Sequence, residues 1–431
     1  MITVVLDDDP TGTQAMAEVS VVLDWSERDV WRAVQPGDRA VHVLTNSRAY
    51  GADEAGRLVA SAAAAARAEY PDALAVLRGD STLRAHVWEE YDALRRVIAP
   101  GSEAVPLLLV PALPAAGRVT VGGIHLIERD GERIPLDRTE YACDGELSYG
   151  TAVLSRWAEE RSGGRIAAPD GLAIPLARLR GPGGADAVAA ALAQAAAIGR
   201  PAVVVPDAET DADLTLIAEG LRAAEAAGAR VVVRCSPAFV VALTGSPARP
   251  PAPPPSGARG VLVVCGSFVP ATTAQLAHLA RTRPAAGVTA HVSALAGDAA
   301  EDEIERIAGE ARARICSDGL AVVATERERD PALVEPSSQR RIAAALAEVA
   351  RLVEAGVVIA KGGITSAVTA RDGLGAHAAR VVGPIATGVA LWRLPTGIDY
   401  VVVPGNVGGP GLLTEIVAAI SPRPPRVACG C

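Results

Sequence analysis

The chain has 431 residues, 50% of them hydrophobic and 21% charged, with a formal net charge of −9. One hydrophobic core rarely serves that length, so two domains are expected. The acidic balance and the lack of any Lys/Arg run argue against a nucleic-acid partner, and no apolar stretch is long enough to cross a bilayer.

Aromatic residues make up only 3% of the chain, so the core must be built from Ala, Val, Leu and Ile. The N-terminus turns acidic within a few residues and has no basic n-region, so no signal peptide is expected. Cys143, Cys235, Cys265, Cys316, Cys429 and Cys431 are scattered. Their spacing suits neither a disulfide framework nor a zinc site, and a reducing cytoplasm is the simplest location.

The apolar run 3–6 predicts a first strand that delivers Asp7, Asp8, Asp9, Pro10, Thr11 and Gly12 into a loop. Adjacent carboxylates repel one another, so a purely structural role is costly. Metal binding or hydrogen bonds to hydroxyl groups are expected instead. Two chemistries fit. An apolar strand followed by D-x-D-x-T matches the haloacid-dehalogenase phosphatase pattern, with Asp7 as nucleophile and Asp9 beside it. The same aspartates also suit a kinase that holds a polyol.

Runs 19–23 and 41–44 predict the next strands. The second ends in Asn46, Ser47 and Arg48, at the kind of strand end where open α/β sheets bind ligands. Arg48 is read as an anion partner. Asn46 and Ser47 either contact the ligand or cap the helix predicted over 53–69. The strand 73–77 ends in Arg78, Asp80, Ser81, Thr82, Arg84 and His86. Guanidiniums beside a carboxylate and hydroxyls suit a small hydroxy-acid: Arg pairs bidentately with its carboxylate, and Asp accepts from its hydroxyls. Capping of the next helix, 87–97, would explain only Ser81 or Thr82.

The strand 106–110 leads into a proline-stiffened loop, from which Arg118 reaches the same pocket. Residues 133–145, with Thr139, Glu140 and Asp144, lack periodicity and read as a loop over the site. Residues 160–185 are uninformative. The strand 202–205 precedes Asp207, a candidate ligand, and a helix capped by Asp211. The run 231–233 is the last strand of this half.

Residues 246–256, SPARPPAPPPS, predict an extended linker with no core. Strand–helix alternation restarts at 261–264. Gly266 and Ser267 follow, with Pro270 in the first helical turn, forming one strand–loop–helix anion site. The strand 320–324 and a crossover helix over 339–354 come next. The stretch 357–370 is the most informative of the chain. Its apolar start reads as a buried parallel strand ending in Lys361, Gly362 and Gly363. Ile364 follows, and Thr365 and Ser366 are placed to cap a helix. Unbonded N–H groups at a helix start favour an anion, and Lys361 is the only lysine in the chain. The strand 400–403 ends in PGNVGGPG, where Gly405 and Gly408 let backbone approach a ligand around Asn406. Neither G-x-x-x-x-G-K-[ST] nor G-x-G-x-x-G after a strand is present, so neither a P-loop nor a dinucleotide fold is expected.

These motifs, in this order, resemble the four-carbon acid sugar kinase family over nearly the whole chain. That family's D-D-x-T-G is met by residues 8–12, its S-R by Ser47 and Arg48, and its D-S-T-L-R by 80–84 without change. P-x-x-P-x-x-G-R falls on 111–118 and T-E-[FY]-A-x-D on 139–144. In the second half, G-S-x-x-P-x-T-x-x-Q falls on 266–275, the G-G-[DE]-T nucleotide turn on 362–365 and the closing glycine loop on 405–411. There are departures. Ile364 replaces an acidic residue, the closing loop lacks its usual lysine, Arg78 stands where Lys is common, and the opening reads Asp7-Asp8-Asp9-Pro10.

The resemblance implies an α/β protein of two domains, each a mostly parallel sheet flanked by helices. An acid-sugar-binding domain over 1–245 would be joined by the Pro-rich linker 246–260 to a nucleotide-binding domain over 261–431. It implies an ATP-dependent kinase, with Mg2+ bridging the phosphates, that phosphorylates a hydroxyl of a four-carbon or related sugar acid. Asp8, Asp9 and Asp80 would be catalytic, with Asp80 the favoured base. Arg48 and Arg84 would bind the carboxylate, and Asn46, Arg78, Ser81 and Arg118 would complete the substrate site. Ser267, Lys361, Gly362, Gly363, Ile364, Thr365, Gly405, Asn406 and Gly408 would line the nucleotide. The alternatives are the phosphatase built on Asp7 and Asp9, and a two-lobed small-molecule-binding protein. Assembly of identical copies stays open.

Overall fold

The computed structural model describes residues 2–26, 28–245, 251–327 and 336–421. Linker residues 246–250 and the tail cysteines Cys429 and Cys431 lie outside the described residues. The chain divides into two compact units. One is Met1–Gly12 with Trp25–Pro247, and the other is Thr13–Asp24 with Ala248–Cys431.

Strands in the first half of the chain are β1 (Thr3–Asp7), β2 (Val19–Val22), β3 (Ala40–Leu44), β4 (Leu74–Arg78), β5 (Leu107–Val110), β6 (Arg118–Val121), β7 (Ile124–Arg129), β8 (Glu132–Pro135), β9 (Leu172–Ile174), β10 (Val203–Pro206) and β11 (Val232–Cys235). In the first unit they run β3-β1-β4-β11-β5-β10-β9, and every pairing is parallel. Parallel strands covered on both faces are unbroken apolar runs, which is why the sequence reveals most of them. The helix Ala52–Glu69 buries Ala55, Val59, Ala62, Ala63 and Ala66, a narrow stripe of small side chains. Large buried side chains such as Trp157, Tyr91 and Phe239 are few.

Two stretches differ from their sequence expectation. Residues 133–145 begin at the end of a separate antiparallel sheet, β6-β7-β8, and continue as short 3-10 turns. Gly122 and Gly123, both at positive φ, make its first hairpin turn. The stretch 160–185 holds β9 and the short helix Leu176–Leu179.

Four helix starts also differ. Gly51, not Asn46 or Ser47, precedes Ala52–Glu69, and His86, not Ser81 or Thr82, precedes Val87–Ile98. Thr210 forms a capping box with Asp213 in place of Asp211, and Gly362 takes the position expected of Thr365 or Ser366. The displaced side chains have stronger partners: Ser47 bonds Glu90, Thr82 bonds Asp80, and Ser366 bonds the carbonyls of Ala360 and Gly362.

Strands of the second half are β12 (Val261–Cys265), β13 (Gly287–Ala290), β14 (Leu320–Thr325), β15 (Val357–Lys361), β16 (Ala378–Ala386), β17 (Val389–Arg393) and β18 (Asp399–Val403). The second unit orders them β13-β14-β12-β15-β18-β17-β16-β2. The first five are parallel, and β17, β16 and β2 add on antiparallel. Register shifts at Val381/Gly383 and Pro384/Ala386 break the alternation of β16, so no strand was expected there.

β2 is therefore a strand of the second unit drawn from near the N-terminus. It pairs Val22 with Ala378 and Val19 with Val381. Thr13 Oγ1 lies 2.9 Å from Nε1 of the buried Trp392. Replacing Thr13 by Val keeps its shape but leaves that N–H without its acceptor, at a cost of about 1–3 kcal/mol. Urea unfolding of Thr13→Val should show that loss, and Thr13→Ser should recover most of it.

Candidate active site

The parallel register sets Asp7 beside Leu44 and Arg78, and Arg78 beside Cys235. The residues that follow these strands therefore emerge together at the carboxyl edge of the first sheet, where open α/β sheets place ligands.

Arg78 organises this edge. It is 3% exposed. Its Nε bonds the Asp7 carboxylate, its Nη1 lies 3.1 Å from Asp8 Oδ1, and its Nη2 lies 2.9 Å from Asp9 Oδ1. Nη2 also donates to the carbonyl of Asp9. One guanidinium thus holds three consecutive carboxylates that would otherwise repel. A side chain at Gly12 would collide with Asp7 and Arg78, so glycine is required there. His42, buried in β3, donates from Nδ1 to Asp7 Oδ2 at 2.7 Å.

The other two aspartates of the row differ from Asp7. Asp9 accepts from the amide of Thr11 at 2.8 Å and pairs with Arg48. Both Asp8 oxygens are buried and, among the described residues, accept no well-formed hydrogen bond, although Arg78 lies 3.1 Å from Oδ1 and Arg48 3.8 Å from Oδ2. Burial pushes the Asp8 carboxyl above its ordinary value, against the pull of Arg48 and Arg78.

Asp80 is the opposite case. It accepts from the amide of Thr82 at 3.2 Å, from the Thr82 hydroxyl and from Arg84 Nε at 2.6 Å, with Arg48 3.7 Å away. Burial acts to raise it, but Arg84, Arg48 and Thr82 outweigh burial and hold it far below the usual carboxylate range. Arg84 also pairs with Asp144 at 3.0 Å. Deeper in the unit, Ser47 donates to Glu90 at 2.5 Å, and Glu90 pairs with the buried Arg234. Asn46 sits in the left-handed region at φ 51°, with its Oδ1 buried and without a hydrogen-bond partner among the described residues.

Arg118 is the exception among these arginines. It is 8% exposed, donates to Ser81 Oγ at 3.0 Å and stacks 5.8 Å from the ring centre of Tyr141. Among the described residues it forms no ion pair, and its Nε is buried without an acceptor. The other candidate of this region, Asp207, is structural: it accepts from the amides of Gly122, Gly123 and Leu176 and so fixes the β6–β7 hairpin.

In the second unit three loops converge. A Cβ at Gly362 would stand 3.0 Å from Ser267 Cβ, one at Gly405 2.9 Å from Ser267 Oγ, and one at Gly266 2.7 Å from Thr365 Oγ1. Thr272 Oγ1 donates to the carbonyl of Gly405 at 3.1 Å, and Gln275 to those of Val407 and Gly408 at 2.9 and 3.2 Å. Arg327 donates to the carbonyl of Ser267 at 2.8 Å. Lys361 is fully buried and donates to the carbonyl of Pro404 at 2.6 Å. Burial lowers its ammonium from the ordinary 10.5 to about 8.

The residues singled out from the sequence thus gather in two places. Asp8, Asp9, Asn46, Arg48, Arg78, Asp80, Ser81, Arg84 and Arg118 share the first edge. Ser267, Lys361, Gly362, Thr365, Gly405 and Gly408 share the second set of loops, with Gly363 opening the helix and Asn406 on the closing loop. The side chain of Ile364 packs on Ala343, Ala347 and Val368 instead. Sequence reasoning missed His42, Glu90, Arg234, His125 and Arg327, and met Gln275 only as the end of a family motif. For His42 and Arg234 a signal exists, because each is a polar residue inside an apolar strand and must have a buried partner.

Residues 3–243 match the model of a sugar-binding N-terminal domain, and residues 262–413 that of a nucleotide-binding C-terminal domain. The chain is 34% identical over 273 residues to a D-erythronate kinase of Heliobacterium modesticaldum, across 63% of this chain and 57% of that protein, so little more than half of that kinase is spanned. It is 27% identical over 357 residues to a D-threonate kinase of Salmonella typhimurium, across 78% of this chain and 76% of that protein. Solved structures of a Salmonella typhimurium protein (20% identity, TM-score 0.71) and a Haemophilus influenzae protein (19%, TM-score 0.63) share the fold. Each match covers 96% of this chain and 98% of the other.

Lys361 gives a pH signature. Between about pH 8 and 10.5 the unfolded chain keeps the proton and the folded chain does not, so stability rises with pH across that window. Relative to Lys361→Met, the unfolding free energy of the native chain should increase by about 3 kcal/mol from pH 7.5 to 10.5. Urea titrations of both proteins at the two pH values measure it.

Proposed function

We propose that this chain, which belongs to the four-carbon acid sugar kinase family, phosphorylates a hydroxyl of a four-carbon or related sugar acid at the expense of ATP. Its named relatives are kinases of D-erythronate and D-threonate. The observation that carries the reading is the pairing, at one sheet edge and among the described residues, of a buried guanidinium with no ion pair and a buried carboxylate that meets Arg78 and Arg48 as ion pairs without a well-formed hydrogen bond.

Arg118 suits the substrate carboxylate, because its fork matches a carboxylate bidentately. Arg84 and Arg48 add positive potential beside it. Asp9 and Asp80, each paired with arginine, are acceptors for substrate hydroxyls. Asp8 is the better base. Its raised affinity for a proton suits it to take one from the attacking hydroxyl, whereas Asp80 is held too firmly in its charged form. This replaces the preference for Asp80 drawn from the sequence.

The nucleotide phosphates suit the loops of the second unit, on Ser267, Gly362, Gly363, Thr365, Gly405, Asn406 and Gly408. Lys361 supplies charge beneath them, and Ile364 contributes backbone only. Among the described residues no three His, Cys, Asp or Glu side chains are grouped to hold a metal. Mg2+ would therefore enter on the phosphates and keep its waters. When bound it neutralises phosphate charge, and the protein's part is positioning and charge stabilisation.

Nothing favours the phosphatase: Asp7 is 1% exposed and both its oxygens are engaged by Arg78 and His42. Nothing favours a binding protein either. No helix among the described residues is long and apolar enough to cross a membrane, and Cys143, Cys235, Cys265 and Cys316 are free thiols. A cytoplasmic location is proposed with the kinase.

The test is ADP release from MgATP against a panel of four-carbon and branched sugar acids, beside a phosphate-release control. ADP formed with one acid and no free phosphate is expected. Phosphate freed from a sugar phosphate without ATP overturns the proposal. Within the reaction, Asp8→Asn should lower kcat by about 100-fold or more, while Asp80→Asn should act mainly on the KM of the acid. The reverse pattern would return the role of base to Asp80.

A further inference from the structure

We infer that His125 is a positioning residue: it fixes Ser81 and thereby aims Arg118 at the substrate carboxylate. The inference rests on the kinase reading above.

His125 lies on β7 and is fully buried. Its Nε2 is 2.9 Å from the carbonyl of Ser81. A carbonyl only accepts, so Nε2 carries the hydrogen. Nδ1 is then a lone pair, and it accepts from the hydroxyl of Thr120 on β6 at 3.0 Å. Both ring nitrogens are satisfied by the neutral imidazole in one tautomer. Burial favours the same state, lowering the ring to about 4. The ring is thus a neutral strut between the β6–β7 hairpin and the loop after β4.

That loop needs external support. Leu83 sits at φ 70°, a strained position for a leucine. Two successive carbonyls just before it are held from outside: Ser81 by His125, and Thr82 by the hydroxyl of Tyr149 at 2.8 Å. Ser81 in turn presents its Oγ to Arg118 Nη1 at 3.0 Å.

Arg118 depends on that contact more than its neighbours would. Arg48, Arg78, Arg84 and Arg234 each have a carboxylate partner. Among the described residues Arg118 has only Ser81 Oγ and the Tyr141 ring. Asp80 lies close enough to feel its charge. If Ser81 shifts, the guanidinium loses the acceptor that sets its fork and turns toward Asp80, where it is lost to an incoming carboxylate. His125 touches neither substrate nor the reacting atoms in this scheme, so it should control acid binding and leave the chemical step alone.

The test uses the full chain, with kcat and KM measured separately for the sugar acid and for ATP. His125→Leu should raise the KM of the acid about tenfold or more, with kcat and the KM of ATP within about twofold of native. His125→Gln keeps a donor for the Ser81 carbonyl and should recover most of the loss. In an Arg118→Ala background His125→Leu should add nothing, since the two act in series. Should His125→Leu fail to fold, Thr120→Val removes only the bond that orients the ring and should raise the KM of the acid about threefold. Independent, multiplying effects of His125→Leu and Arg118→Ala, or an unchanged KM in a folded variant, overturn the role of His125. A native chain that forms ADP with no acid overturns the kinase reading and this inference together, whereas native turnover with unaffected variants overturns this inference alone.

Discussion

A row of adjacent carboxylates at the end of one buried strand is the constraint on which the first unit depends. Asp7, Asp8 and Asp9 stand where water is largely excluded, and at that depth neighbouring like charges cost several kcal/mol unless a cation offsets them. The fold supplies the cation by register. Because β1 and β4 are parallel and in step, Arg78 emerges beside Asp7 and spreads its guanidinium across all three. A lysine, which the resembling family commonly carries there, is a point charge that cannot bridge three acceptors in a planar fork. In this chain Asp7 and Arg78 are therefore matched partners. Asp7, tied down by His42 and covered by Gly12, anchors the arginine and is itself withdrawn from chemistry.

The same edge then separates two carboxylates that the sequence alone treats as equals. Asp80 is fixed by a hydroxyl, an amide and an arginine, so its charge is permanent and its geometry rigid. Asp8, one residue along from the anchored Asp7, is buried beside Arg78 but among the described residues accepts no well-formed hydrogen bond. Under the proposed kinase reading, environment rather than residue type would assign one to holding hydroxyls and the other to accepting a proton.

How legible this was depends on what each residue answers to. Most strands of the parallel sheets were plain, because burial on both faces leaves a continuous apolar run, but the edge strands β9 and β13 were not foreseen. Antiparallel strands other than β2 were hidden: β16 is bulged at Gly383, and the β6–β8 sheet carries short, mixed strands behind a diglycine turn. The membership of β2 could not be seen at all, since nothing local tells a strand which unit it will join. Candidate ligands at strand ends were found because chemistry clusters there. Their supports were not: Glu90 and His125 lie inside regular elements, where only three-dimensional pairing gives them meaning, whereas His42 and Arg234 stand out as polar residues in apolar strands without naming their partners. Helix caps failed for a related reason: Ser47 and Thr82 are good caps in isolation, but buried charges nearby outcompete a backbone amide for their hydroxyls.

The single lysine of the chain follows the same logic. A buried cation must find an acceptor for each donor or leave it unsatisfied. A guanidinium brings five N–H groups and a rigid plane, and an ammonium only three. Beneath the closing loop the acceptors on offer are backbone carbonyls, those of Pro404 and, at 3.4 Å, Gly405. An arginine there would strand donors, whereas Lys361 fits and still brings charge to a loop that lacks the lysine usual in the family. Burial moves it down to about 8, which leaves it cationic near neutrality by a narrow margin. In a chain that uses arginine at every other basic position, the exception falls where few acceptors and one positive charge are wanted together.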